Sequence, residues 1–91
     1  MAVVWDERKK ARNLKKHRVS FDEAATVFDD PIFVIAKDED HSIKEKRLII
    51  LGQSNGGRLL VVAYAERGKD TRIISAREAT SKERKNYEEE I

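Results

Sequence analysis

The sequence predicts a single α+β domain, in which a short strand and two helices precede a mostly antiparallel sheet of three to four strands and a final helix. Apolar residues recur at helical spacing before Pro31 and as β-branched runs after it. Glycine-containing turn signals separate these runs, as they do in hairpins. The 91 residues contain no repeat or linker and are enough for one hydrophobic core, so we expect one domain over residues 1–91.

The N-terminal segment predicts a short strand followed by a polar helix. Residues 3–5 are an apolar run, and Asp6 is a suitable N-cap for a helix that continues to about His17. Only Ala11 and Leu14 are clearly core-forming in this helix. We therefore expect the helix to dock shallowly and to keep most of its surface for polar contacts.

The second helix has stronger local signals. Ser20 and Glu23 form a capping box, and Val19 can close a hydrophobic staple with Ala24. The helix should end before Pro31, because the residue that precedes a proline disfavours the helical region. Its apolar stripe consists of Phe21, Ala24, Ala25 and Phe28.

Short apolar runs after Pro31 predict the strands of the sheet. The run over 59–65 is almost continuously apolar, which predicts a central strand covered on both faces. Asn55-Gly56-Gly57 and Gly68-Lys69-Asp70 are turn signals, since glycine and asparagine tolerate positive φ. Other predicted strands cover 32–36, 47–51 and 71–76, with an acidic loop over 37–44.

The start of the last helix is ambiguous by one turn. Two capping boxes overlap in this region, one formed by Ser75 with Glu78 and the other by Thr80 with Glu83. Either pair can begin the helix, so the sequence leaves both starting points open.

Composition excludes several classes of function. The chain has no cysteine, which excludes disulfides, thiolate zinc sites and a cysteine nucleophile. No apolar run approaches the roughly 20 residues of a membrane span, and charge follows Trp5 where a signal peptide needs an apolar core. We therefore expect a cytoplasmic protein without a membrane partner.

Charge is unevenly distributed along the chain, although the formal net charge is only +2. Residues 6–18 contain seven Lys or Arg and two acids, and residues 46–77 contain the same numbers. If folding brings these two basic blocks together, they form a surface that can bind a phosphate backbone. The alternative is that both blocks are ordinary solvated surface.

Motifs for metal or nucleotide chemistry are missing. Gly56-Gly57 is isolated and has no phosphate-loop lysine at the required spacing. His17 and His41 lie in different predicted elements, so three convergent metal ligands are not in place. The acidic group at 38–40 is best interpreted as a solvated loop. We expect no metal and no cofactor.

The chain nevertheless contains residues suited to RNA cleavage without a metal. The RNA 2′-hydroxyl is the nucleophile in that reaction, so the protein must move protons and stabilise a pentavalent phosphate. His17 and Glu45 suit the proton transfers. Arg72 and Arg77 suit the phosphate, because a guanidinium can bind two of its oxygens at once. Further residues suited to contact RNA are Lys9, Asn13, Lys16, Arg47, Arg58, Tyr64 and Arg67.

Several of these candidates also have a purely structural interpretation. His17 can interact with the dipole at the C-terminus of the first helix. Glu45 and Arg47 can form an ion pair with each other, and Tyr64 can be a core residue of the central strand. Spacing alone does not decide between these roles.

The two arginines of the last strand raise a geometric problem. Side chains alternate between the faces of a regular strand, which places Arg72 and Arg77 on opposite faces unless the chain bends after Ser75. We therefore expect only one of these arginines in the active site.

Together these residues resemble the BrnT family of bacterial toxins, and the resemblance covers almost the whole chain. One departure is Arg18, which stands where the family usually has a glycine after Lys16-His17. The matching residues are Trp5-Asp6, Lys9, Asn13, KHRVSFDEA at 16–24, Phe28, the 41–47 segment with Glu45, Gly52, Arg58, Tyr64, RIISAREAT at 72–80, Glu83-Arg84 and Tyr87.

The resemblance implies a RelE-like fold and a metal-independent endoribonuclease that arrests growth by degrading RNA. It also implies neutralisation by a BrnA-type antitoxin, with operator DNA bound only through the antitoxin complex. Two other functions remain open, a non-catalytic nucleic-acid-binding module and a protein-interaction domain whose acidic block contacts a basic partner. The positions carried over as site candidates are Lys16, His17, Glu45, Arg47, Arg72 and Arg77.

Overall fold

A computed structural model gives the structure of the protein and describes residues 2–37 and 46–90. The predicted α+β class is confirmed. The elements are β1 (Ala2–Trp5), α1 (Glu7–His17), α2 (Phe21–Ala25), a 3₁₀ helix (Thr26–Asp29), β2 (Val34–Lys37), β3 (Arg47–Gln53), β4 (Leu59–Arg67), β5 (Asp70–Glu78) and α3 (Ser81–Glu89). In length and hydropathy, all the described helices fall short of a membrane span.

The described strands form one mixed sheet of five strands in the order β1-β5-β4-β3-β2. β2, β3, β4 and β5 pair in antiparallel fashion, whereas β1 lies parallel to β5. The predicted sheet of three to four strands therefore had too few strands. Pairing of β1 with β5 joins the first and the last of the described strands, and no local sequence signal predicts such a long-range contact.

A β-bulge in β5 changes which side chains share a face. Ala63 lies opposite Ser75 and Tyr64 lies opposite Ile73, so Ile74 is an extra residue in this strand. Side-chain alternation is shifted by one position beyond the bulge. Arg72 and Arg77 consequently lie on the same face, which the sequence analysis expected only if the chain bends after Ser75; the irregularity lies at Ile74 instead.

One face of the sheet is covered by α2 and the 3₁₀ helix, and we call it the helix-covered face. Trp5 at the end of β1 packs edge to face on Phe21, with 6.2 Å between ring centroids, and Lys10 lies over the Trp5 ring. The buried residues of this main core are Val19, Phe21, Ala24, Val27, Ile50, Leu60, Val62, Tyr64, Ile73 and Ala76.

Helix α1 docks through a polar residue. Ala11 and Leu14, the predicted core positions, are both exposed, and the buried residue is Asn13. Its Nδ2 donates to the carbonyl oxygens of Val19 and Ala76 at 2.9 Å, and Ala76 N donates to its Oδ1 at 3.0 Å. β1 pairs with β5 only as far as Ile73. Beyond that point, Asn13 therefore supplies the hydrogen bonds that a neighbouring strand would make.

Helix α3 covers part of the opposite face. Tyr87 is its buried residue and packs in a second small core with Leu51, Leu59 and Val61. The Tyr87 hydroxyl donates to Asp30 Oδ2 at 2.6 Å. Burial and this hydrogen bond raise the pKa of Tyr87 to about 12. One aromatic residue therefore anchors the helix to the sheet and to the segment before Pro31.

Of the two predicted capping boxes at the last helix, the one at Thr80 is formed. Thr80 Oγ1 accepts from Glu83 N at 3.2 Å, and Glu83 Oε1 accepts from Thr80 N at 2.8 Å. Ser75 lies within β5, so it cannot begin a helix. The capping box predicted for α2 is only half formed, because Ser20 Oγ accepts from Glu23 N while the Glu23 carboxylate binds elsewhere.

Candidate active site

The face of the sheet opposite the helix-covered face presents four of the predicted arginines, Arg47, Arg67, Arg72 and Arg77, and we call it the arginine face. Arg47 of β3 and Arg72 of β5 lie on either side of Ala65 of β4, and Arg77 of β5 lies opposite Val61. Strand spacing places the Cα atoms of Arg47 and Arg72 about 10 Å apart, and those of Arg72 and Arg77 about 13 Å apart. The bulge thus brings predicted phosphate-binding residues onto one surface.

A cleft of about 320 Å³ opens on this face, next to the end of α1. Its floor consists of small and aliphatic side chains, and Ser75 is exposed in its wall. His17 and Arg77, which we predicted as catalytic residues, both line it. His17 reaches the cleft because Asn13 fixes α1 against β5. The residues around the cleft are His17, Ile49, Val61, Ala63, Ser75, Ala76 and Arg77.

Arg77 is held by a carboxylate of α3. Its Nη1 and Nη2 donate to the two carboxylate oxygens of Glu83 at 2.8 and 2.9 Å, and Nη1 also donates to Glu78 O at 3.2 Å. Hydrogen bonding to Glu83 raises the pKa of Arg77 against the opposing effect of burial. The same hydrogen bonds, supported by Thr80 N, outweigh burial and hold the pKa of Glu83 at about 2. Both side chains are therefore ionised at neutral pH.

Arg72 lies nearer the other end of β5 and is half-buried. Its charge contributes to a lowered pKa of Asp6, whose main causes are hydrogen bonds from Lys9 N and Arg8 N. Arg67 is exposed at the hairpin end of β4 and, by strand alternation, shares the arginine face. The basic residues therefore follow the length of this face.

Lys9 and Lys16 flank Asn13 along α1. Lys16 is exposed in the last turn of the helix, beside His17, and Lys9 is half-buried in the first turn. His41 and Glu45 lie outside the described residues. Within 2–37 and 46–90, no group of three or more His, Cys, Asp or Glu side chains is arranged to hold a metal ion.

Arg58 lies away from the arginine face. Its Nε donates to Glu23 Oε2 at 3.0 Å and its Nη2 donates to Glu23 Oε1. Nη1 and Nη2 also donate to Arg18 O at 3.2 Å. Arg58 therefore connects the 54–57 turn to the end of α1 and to α2, and every guanidinium nitrogen already has an acceptor.

Tyr64 and Asn13 are interior residues. The Tyr64 side chain belongs to the main core, is only 5% exposed and packs edge to face on Phe28 at a centroid distance of 5.1 Å. Burial raises its pKa. Neither Tyr64 nor Asn13 offers an exposed surface to RNA, so the structural alternative describes Tyr64 correctly.

Glu83 is a site residue that the sequence interpretation missed. The sequence indicated it as a capping-box residue and as one of the residues that resemble the BrnT family, and a capping box uses only its backbone N–H and one carboxylate oxygen. A signal was nevertheless present, because an arginine three positions before the N-cap and a glutamate three positions after it flank the strand-to-helix junction. Contact between them depends on the angle between β5 and α3, which the sequence does not specify.

Comparison with known proteins identifies the family. The model for BrnT, described as a ribonuclease toxin of a type II toxin–antitoxin system, matches residues 5–83. The chain therefore belongs to the BrnT family, and membership implies an RNA substrate and an antitoxin partner. The 1.1 Å crystal structure of the Brucella abortus ribonuclease toxin BrnT is similar in fold, with a TM-score of 0.69 and 24% identity over 89% of this chain and 99% of that chain. No curated protein matches the sequence significantly.

Proposed function

We propose that this BrnT toxin is a metal-independent endoribonuclease that cleaves RNA by attack of the 2′-hydroxyl on the adjacent phosphate, on the arginine face. The observation that carries the proposal is the bulge at Ile74, which places Arg72 and Arg77 on one surface. That surface also receives His17 from α1. A histidine and several arginines are sufficient for proton transfer and for stabilising the pentavalent phosphate.

Arg77 is the residue we assign to the scissile phosphate, because it shares the cleft with His17. Arg72, about 13 Å away by strand geometry, then binds a flanking phosphate. His17 transfers a proton at the 2′-hydroxyl or at the leaving oxygen, and Glu45 is the candidate for the second transfer. Lys9, Lys16, Arg47 and Arg67 extend the basic surface along which the RNA backbone lies.

The proposed partners follow from the family. A type II toxin is neutralised by a protein antitoxin, and we propose a BrnA-type antitoxin that alone contacts operator DNA. We also propose that the fold is RelE-like, since α2 and the 3₁₀ helix pack on one face of a largely antiparallel sheet, while the part of the other face that α3 does not cover presents the basic residues for RNA. Blocking the arginine face is then the simplest way for an antitoxin to prevent cleavage.

Cleavage of a defined RNA oligonucleotide in EDTA tests the reaction. The purified protein should produce fragments that end in a 2′,3′-cyclic phosphate. A matched oligonucleotide with one deoxyribose at the cleaved position should stay intact, since it lacks the nucleophile. Cleavage that requires an added divalent metal, or equal cleavage of the deoxyribose substrate, would contradict the mechanism. Salt-dependent binding without turnover would favour the non-catalytic module instead.

A further inference from the structure

Glu83 is fixed at both of its carboxylate oxygens. Oε1 accepts from Arg77 Nη1 and from Thr80 N, each at 2.8 Å, and Oε2 accepts from Arg77 Nη2 at 2.9 Å. The N–H of Glu83 donates separately to the Thr80 hydroxyl, a contact that caps α3 and does not involve the carboxylate. Glu83 is thus a rigid support at the start of α3 rather than a mobile surface carboxylate.

This support uses only part of the Arg77 guanidinium, which has five N–H donors in one plane. Glu83 takes one hydrogen from each terminal nitrogen, and Glu78 O takes the second hydrogen of Nη1. Nε–H and the second hydrogen of Nη2 remain, and these two point the same way along one edge of the group. Across the part of the chain that the structure describes, no hydrogen bond engages Nε of Arg77.

The remaining edge has the geometry that two oxygens of a phosphate require, since paired parallel N–H groups bind phosphate in a bidentate manner. Arg77 also lines the cleft that contains His17, and its side chain is 42% exposed. The Arg77 side chain therefore remains accessible to a ligand while Glu83 holds both of its terminal nitrogens.

We propose that Glu83 is a positioning residue, which holds Arg77 so that its Nε–H and Nη2–H edge binds the scissile phosphate of RNA. This inference rests on the proposed function and adds a residue that does not itself touch the substrate. A long arginine side chain loses considerable rotamer entropy when it is ordered. Glu83 supplies that order before RNA binds, so the donors are already in place when charge develops on the phosphate.

The variant Glu83→Gln tests this role and keeps the helix start intact. Glutamine also completes a capping box at this position. Its single carbonyl oxygen cannot accept from both Arg77 nitrogens and from Thr80 N as the carboxylate does. We expect kcat for RNA cleavage to fall about 10- to 100-fold, as for a misplaced catalytic group, with KM changed less than about twofold.

Thr80→Ala is the matched control. It removes the hydroxyl that caps α3 but leaves the contact between Glu83 and Arg77 in place. This variant should have a lower Tm and a nearly unchanged kcat when it is assayed well below that Tm. If Glu83→Gln and Thr80→Ala lower kcat equally, Glu83 acts only through helix stability and the proposal is overturned.

A double-mutant comparison separates positioning from a general structural effect. Adding Glu83→Gln to Arg77→Ala should lower kcat no further, because the residue that Glu83 positions is already missing. A further loss would overturn the proposal, as would Glu83→Gln with wild-type kcat while Arg77→Ala is inactive. The latter result would leave the proposed function intact.

A readout without turnover separates this inference from the proposed function. NMR relaxation of the Arg77 Nε–H group should report an ordered side chain in the wild type and a more mobile one in Glu83→Gln. An equally mobile Arg77 in both proteins would overturn the positioning role, whatever the activity. A different outcome is a wild type that fails to cleave RNA while Arg77 is still more mobile in Glu83→Gln than in the wild type. That result would overturn the proposed reaction and the catalytic role of Glu83, but it would support the ordering of Arg77 by Glu83.

Discussion

Two arginine–glutamate pairs, Arg58 with Glu23 and Arg77 with Glu83, have the same chemistry and different accessibility. Glu23 and Glu83 both occupy the third position of a helix that starts with a side-chain cap, and each binds an arginine through both carboxylate oxygens. In the first pair, Arg58 has acceptors at all its guanidinium nitrogens. In the second, Arg77 keeps one edge for a ligand.

The surroundings of the two pairs explain this difference. Ser54 donates to Glu23 at 2.6 Å and Arg18 O accepts from Arg58, so the first pair is enclosed by the turn and by the end of α1. Hydrogen bonds from Arg58 are the main reason that the pKa of Glu23 is lowered, against the effect of burial. We therefore interpret the first pair as structural, because every guanidinium nitrogen of Arg58 already has an acceptor. We interpret the second pair as ligand-binding, because the Nε–H and one Nη2–H of Arg77 remain available.

The largest effect that this comparison predicts is the loss of catalytic activity in the variant Arg77→Ala. We expect kcat to fall about 100- to 1000-fold, the usual loss when one donor to a charged transition state is removed. Unfolding free energy should change by less than about 1 kcal/mol, since the pair is partly exposed. Single-turnover cleavage and urea denaturation measure the two quantities.

Arg77→Lys is a useful companion to that variant. It keeps the charge but not the paired donors, so it should recover only part of the lost activity. Full activity in Arg77→Lys would show that a positive charge alone is sufficient at this position. The availability of paired N–H donors would then no longer distinguish Arg77 from Arg58.

Arg58→Ala should show the reverse pattern. We expect the unfolding free energy to fall by about 2 kcal/mol, which is less than the loss for a fully buried pair because the Arg58 side chain is 31% exposed. Cleavage below the new Tm should be close to that of the wild type. Urea denaturation and the same cleavage assay test this, and a catalytic loss larger than that of Arg77→Ala would contradict the comparison.

Acid titration tests the Arg77–Glu83 pair through a smaller effect, on the unfolding free energy. The pKa of Glu83 is about 2 in the folded protein and 4.5 in its ordinary environment, so between these values the unfolded state binds more protons. Stability is therefore fully present above pH 4.5 and declines as the pH falls towards 2.

The variant Glu83→Gln provides the measurement. From pH 6 to pH 3 the wild type should lose about 1 kcal/mol more unfolding free energy than Glu83→Gln, after discounting for solvent screening at a partly exposed pair. Urea denaturation at the two pH values measures this difference. Parallel losses in both proteins would mean that Glu83 is not stabilised as an anion in the folded state.

Local signals made much of the fold predictable. The N-caps Asp6, Ser20 and Thr80 and the two hairpin turns all lie where the sequence places them, because capping and turn geometry depend on neighbouring residues. The long apolar run of β4 likewise predicted a central strand. Family resemblance and phosphate chemistry drew attention to His17 and Arg77.

Long-range contacts set what the sequence could not predict. Ile74 forms a bulge although no glycine is present. The bulge lies between Ile73 and Ala76 because both of these side chains are buried under the helices, which regular alternation would not allow. Asn13 is polar and yet buried, because its partner Ala76 is 63 positions away. These two features place both arginines and His17 on one surface, so the residue types of the candidate site could be predicted from the sequence and their arrangement in space could not.

The smallest predicted effect concerns Arg18, which caps α1 with a φ of 60°. This left-handed conformation disfavours residues with a Cβ, so Arg18→Gly should raise the unfolding free energy by about 0.5 kcal/mol, after allowing for the flexibility of glycine in the unfolded chain. Arg58 bonds the carbonyl oxygen of Arg18, which the substitution leaves in place. The unfolding free energy should therefore rise, and kcat should stay constant because the Arg77–Glu83 pair is unchanged. Urea denaturation with a parallel cleavage assay measures both, and a fall in kcat would show that the Arg18 side chain itself contacts RNA.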